Sequence, residues 1–267
     1  MFETVVRQLL YYPTRIPRDA PLPPHASDAQ EVWWRSGVGD EIHALYWPAP
    51  PGRPTVLFFH GNAQSVYEWA LVREDFAPVS VGLLLMDYPG YGKCSGSPSE
   101  QALYAAADGA YERLTGELGV APEQVVVFGK SLGGGVGSYL AAHRKVRGLI
   151  LESTFLSIPA VARTLFPFVP ADAFLKKERF DTASRITSIH VPVLIIHGTR
   201  DDLIPFEQAN QLFALAREPK ELYAVEGALH NDVSMRAGPA YGRTIRRWID
   251  GVTSGLGEEA SAGREEP

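Results

Sequence analysis

Apolar residues in this chain gather in short dense runs, at 55–59, 79–86, 125–128, 146–151, 192–196 and 221–225, each closed by glycine or polar residues. Such runs lack the alternation of a half-exposed strand. They fit strands buried on both faces of a parallel sheet. Between them the spacing turns helical. Positions 64–76 place Trp69 and Val72 on one face, and 99–118 place Ala102, Ala105, Ala106, Ala110 and Leu114 on an inner side; 136–144, 206–216 and 240–249 read as further helices. Upstream, 31–35 and 41–47 flank Gly37-Val38-Gly39-Asp40, a hairpin signal. A hairpin followed by β-α units predicts an α/β fold of about eight strands, mostly parallel, with helices on both faces.

The chain has 267 residues, 45% of them hydrophobic, enough for one large core. The pattern sets a proline-rich lead-in at 1–30, one folded domain at 31–252, and a polar, Gly- and Glu-rich tail at 253–267 expected to be disordered. The net charge of −6 provides no electrostatic footprint for nucleic acid and disfavours anionic membranes. A single cysteine, Cys94, excludes an internal disulfide framework and a Cys-based metal site. It fits a reducing compartment, so the cytoplasm is the expected location. No apolar run approaches the roughly 18 residues of a membrane span, so no stable membrane insertion is expected. The first twelve residues carry an early Glu3 and no basic start or small-residue cleavage site. They make a poor signal peptide and are expected to pack on the domain.

Chemistry concentrates at strand ends. The run 125–128 enters Gly129-Lys130-Ser131-Leu132-Gly133, and a helix follows. Strand, G-x-S-x-G and helix together form the setting of a nucleophile elbow, where glycines at 129 and 133 permit a tight turn and the serine Oγ stands exposed. A serine alcohol needs a base, and the base needs an acid to orient it. The strand 192–196 ends in His197-Gly198-Thr199-Arg200-Asp201-Asp202, and the strand 221–225 is followed by His230. The order Ser131, Asp, His230 places the three groups at three strand ends, with Asp201, Asp202 and the strand-end Glu152 all candidates for the acid. Oxyanion donors are expected from the N–H of Leu132, after the nucleophile, and of Asn62, in the loop His60-Gly61-Asn62-Ala63. His60 and His197 each precede a glycine at a strand end and read as structural. Metal and cofactor sites are not expected.

These segments resemble the α/β-hydrolase superfamily, and within it the abhydrolase-domain group of small serine hydrolases. The resemblance rests on HGNA (60–63), MDYPGYGKCSGSPSE (86–100), FGKSLGGGVGSYLA (128–141), LESTFLSI (151–158), PVLIIHGTRDDLIPFE (192–207) and GALHND (227–232), and extends over about 55–250. It places the acid in the frame Gly-x-x-Asp-x-x-(Val/Ile)-Pro, which Gly198 to Pro205 match with Asp201. It implies a short helical cap at about 153–190, whose Phe155, Phe166 and Phe168 are expected to line an apolar acyl pocket. Members of the group include esterases, monoacylglycerol lipases, lysophospholipases, thioesterases and some peptidases. The expected function is hydrolysis of a small-molecule acyl ester through an acyl-enzyme. A thioesterase or an aminopeptidase-like amidase would use the same machinery. A non-catalytic scaffold of the same fold would lack a triad member, and none is missing.

Overall fold

The computed structural model describes residues 7, 10–166, 168 and 174–262, with 253–262 described by backbone alone. Ten strands occur among these residues: β1 (Tyr12–Pro13), β2 (Gln30–Arg35), β3 (Glu41–Trp47), β4 (Thr55–Phe59), β5 (Ala63–Gln64), β6 (Gly82–Met86), β7 (Val125–Lys130), β8 (Gly148–Glu152), β9 (Val193–Gly198) and β10 (Lys220–Val225). Eight of them make one sheet in the order β10-β9-β8-β7-β4-β6-β3-β2. The pairs β2–β3 and β3–β6 are antiparallel and the remaining five are parallel. The α/β fold expected from the pattern is therefore the observed one.

The unbroken apolar runs have a direct cause. Leu57, Phe59, Val127, Leu149, Leu151, Val193 and Ile195 point to one core, and Val56, Phe58, Val126, Phe128, Ile150, Leu194 and Ile196 to the other. Successive side chains alternate faces, and each face is covered, so neither alternate position can be polar. The second core is roofed by short helices α1 (Val66–Trp69) and α2 (Val72–Phe76) and by residues further down the chain. The first is roofed by α3 (Glu100–Glu112) and α4 (Leu132–His143). Then come α5 (Ile158–Leu165), α6 (Thr182–Ile186), α7 (Phe206–Leu215), α8 (Val233–Ala237) and α9 (Pro239–Ala262). Tyr241, Ile245 and Trp248 of α9 complete the roof of the second core.

Several boundaries differ from the sequence reading. The helix expected at 64–76 begins at Val66, after Ser65, whose side chain and that of Glu68 form a capping box, and it splits after Trp69. Ala70 and Leu71 keep helical φ but have ψ near −20°, on the 3₁₀ side of the helical basin, which loosens the i→i−4 ladder. The strand expected from 79 begins only at Gly82, because a 3₁₀ turn over Ala77–Val79, with Pro78 in it, is capped by Ser80 at φ +59°. The proline-rich lead-in contributes a short strand: β1 pairs in parallel with β5, Tyr12 opposite Ala63 and Pro13 opposite Gln64. The tail expected to be disordered is helical over 253–262, an extension of α9 that no proline interrupts; 263–267 lie outside the described residues. No helix among the described residues is long and apolar enough to cross a membrane.

Candidate active site

The carboxyl ends of β4, β7, β8, β9 and β10 face one edge of the sheet, where ligands of open parallel sheets bind. β7 delivers Ser131 there. Ser131 stands between strand and helix at φ +51° and ψ −116°, a conformation that costs a non-glycine residue about 1–3 kcal/mol. Its N–H donates to Glu152 O at 2.9 Å, and its own O accepts from Thr154 Oγ1 at 2.9 Å. The glycines serve this turn through space rather than through torsion. A Cβ on Gly129 would meet Gly133 O at 2.3 Å, and one on Gly133 would meet Phe59 O at 1.9 Å. The left-handed conformation belongs to the serine itself.

β9 and β10 deliver the other two groups. His230 Nε2 lies 3.0 Å from Ser131 Oγ, and His230 Nδ1 lies 2.9 Å from Asp201 Oδ2. A carboxylate accepts only, so Nδ1 carries the proton and Nε2 is left to accept from the serine O–H. Asp201 Oδ1 takes the N–H groups of Leu203 at 2.9 Å and Ile204 at 2.7 Å. Burial works to raise the Asp201 carboxyl, but hydrogen bonds from His197 and His230, the His230 charge and the Ile204 N–H hold it well below the usual carboxylate range. It is therefore built to remain ionised. Asp202 takes a different part, accepting the His230 backbone N–H at 3.2 Å. Glu152 has other partners than His230. Its side chain is tied to Lys130 and Tyr241.

His60 and His197 have the structural positions read from the sequence. His60 is fully buried and donates from Nδ1 to Gly61 O at 2.7 Å, while Tyr88 OH donates to His60 O at 2.7 Å. His197 is also fully buried, and its Nε2 faces two acceptors, Ile204 O at 2.9 Å and Asp201 Oδ2 at 3.2 Å. His197 thus fixes the acid that fixes His230.

The loop after β4 comes close to Ser131: a Cβ on Gly61 would lie 3.8 Å from Ser131 Cβ. Asn62 is clamped in this loop from two sides. Its Nδ2 donates to Leu10 O at 2.5 Å, and Tyr91 OH donates to its Oδ1 at 2.9 Å. Nothing local in the sequence indicated this clamp, because Leu10 lies 52 positions away. On the other side of Ser131, Leu132 opens α4, where first-turn N–H groups have no intrahelical acceptor.

A cavity of about 780 Å³ opens at Ser131 and His230. Phe155, Phe166 and Phe168 do not line it, so the acyl pocket expected from the cap is not formed by these residues. Phe155 is buried in the first core, and Phe166 and Phe168 are 60% and 98% exposed. The cavity lies on the opposite face, against Phe58, Phe76 and Phe128 of the second core. Lys130, Glu152, Tyr241 and Asp75 share its lining; the sequence reading weighed Glu152 there only as the triad acid and gave the other three no place. The signal available was the two-residue period of β7, which puts Lys130 on the face of Phe128.

Comparison with known proteins bears on the family and the fold. The family described as alpha/beta hydrolase fold matches residues 54–173. An uncharacterized protein of Mycobacterium tuberculosis is 34% identical over 91% of this chain and 86% of its own length. The alpha/beta hydrolase domain-containing protein 17B of Xenopus tropicalis is 36% identical over 83% of this chain and 74% of its own. An esterase of Pyrococcus furiosus shares the fold at a TM-score of 0.72 and 17% identity, over 91% of this chain and 98% of that one.

Proposed function

This chain belongs to the α/β-hydrolase family, and from that premise we propose that it is a serine hydrolase that cleaves carboxylic esters of small acyl substrates through a Ser131–His230–Asp201 triad. The observation that carries the reading is the unbroken line of hydrogen bonds from Asp201 through His230 to Ser131, at 2.9 and 3.0 Å, on the wall of a cavity. Ser131 Oγ attacks the acyl carbon as its proton passes to His230 Nε2. Asp201 holds the ring in register and balances the imidazolium charge. The N–H groups of Asn62 and Leu132 take the oxyanion; one such donor is worth about 2.7–4 kcal/mol in the transition state. His230 returns the proton to the leaving alcohol, and the acyl-enzyme is then opened by water activated in the same way. The scheme calls on no metal or cofactor.

Ester hydrolysis is preferred over thioester or amide cleavage on the likeness in fold to an esterase. The experiment is turnover of p-nitrophenyl butyrate and labelling by a fluorophosphonate, in the wild type and in Ser131→Ala. Both are expected to vanish in the variant while its melting temperature is kept. Turnover retained by Ser131→Ala would refute the reading.

A further inference from the structure

The strand that presents the nucleophile also presents a cation beside it. Lys130 precedes Ser131, and by alternation along β7 its side chain lies on the cavity face with Phe128. Glu152 is its register partner on β8, and the two side chains are ion-paired. Tyr241, arriving from α9, donates to the second carboxylate oxygen. Glu152 and Tyr241 are 2% and 5% exposed, so the two groups that hold the ammonium are shielded from solvent, while Lys130 itself lines the cavity.

We propose that the Lys130–Glu152–Tyr241 network makes this cavity selective for an acyl group with a neutral hydrogen-bond acceptor near its far end, over a plain alkyl chain of equal length. The inference rests on the ester hydrolase reading above. An ammonium has three N–H donors, and one of those on Lys130 is directed to Glu152. An alkyl chain laid against it strips water from the other donors and returns nothing. An ether, carbonyl or hydroxyl oxygen replaces that water with an acceptor. The aromatic side of the cavity, with Phe58 stacked on Phe128 at 4.8 Å, receives the intervening methylenes. A carboxylate at the far end is disfavoured, because Glu68, Asp75 and Glu152 already line the cavity against one lysine. The Asp75 carboxyl is pushed up first by burial and then by the Glu152 charge, in keeping with a wall that already carries excess negative charge.

The test compares p-nitrophenyl 5-methoxypentanoate with p-nitrophenyl heptanoate, which have acyl chains of the same atom count, each rate corrected for spontaneous hydrolysis. In the wild type, kcat/KM is expected to favour the ether. In Lys130→Met/Glu152→Gln, where the glutamine amide oxygen still accepts from Tyr241, the preference falls about tenfold, the scale of a hydrogen bond to a charged donor. A wild type that favours the heptanoate, or an unchanged preference in the variant, overturns the inference. The wild-type comparison stands even if the variant does not fold. Fluorophosphonate labelling in parallel separates the two readings: labelling at Ser131 with the wrong preference removes only this inference, whereas no labelling and no turnover removes the hydrolase reading and this one with it.

Discussion

Tyr91 donates its hydroxyl to Asn62 Oδ1 at 2.9 Å, with Asn62 O 3.1 Å away, and so holds the loop that faces Ser131. Asn62 is thereby positioned by its side chain even though its proposed catalytic group is main-chain. Tyr91→Phe and Asn62→Ala are expected to lower kcat at least tenfold with little change in KM, since a displaced oxyanion donor is missed mainly in the transition state. Steady-state kinetics with p-nitrophenyl butyrate checks this. A matching rise in KM with kcat preserved would mean that the clamp serves binding alone.

Asp201 ties stability to pH as well as orienting the His230 ring. Its folded pKa lies below the unfolded value of about 3.9, so the stability it contributes is fully present above that value and is lost as pH falls toward the folded pKa. Denaturant unfolding from pH 6 to 3 should therefore show a steeper loss in the wild type than in Asp201→Asn. The same variant is expected to lose about 10⁴-fold in kcat at neutral pH, because an amide favours the wrong His230 tautomer. Equal slopes in the two proteins would count against an ionised, partnered Asp201.

Phe155 and Phe166 should separate core from surface. Phe155→Ala removes a side chain that is 2% exposed and is expected to cost about 3–5 kcal/mol of stability, with KM for surviving enzyme unchanged. Phe166→Ala, at a residue 60% exposed, should leave both stability and KM near the wild-type values. Thermal melts and Michaelis constants for a butyrate and a decanoate ester decide it. A raised KM in either variant would return that side chain to the acyl site.

Much was legible before any coordinate. Apolar runs buried on both faces demanded a covered parallel sheet, and Gly129 at the end of β7 with Gly133 just beyond announced the turn at Ser131. Elbow and strand ends were legible because strand, turn and following helix are contiguous, so their physics is written within a few residues. Asp201 was separable from Asp202 in the sequence only by family resemblance; the ring distance of 2.9 Å separates them by geometry.

What the sequence determined by itself was the fold class and which polar residues stand at each strand end. Tertiary structure alone decided which face of the sheet carries the cavity, and hence that Phe155 packs in the core while Lys130, Glu152 and Tyr241 line a cavity with Ser131. It also decided that Leu10 and Tyr91 hold Asn62. Side-chain periodicity shows that alternate residues of a strand face opposite ways, but which side stays open is set by the helices that cover it. Those helices come from distant parts of the chain, so their contacts leave no local mark.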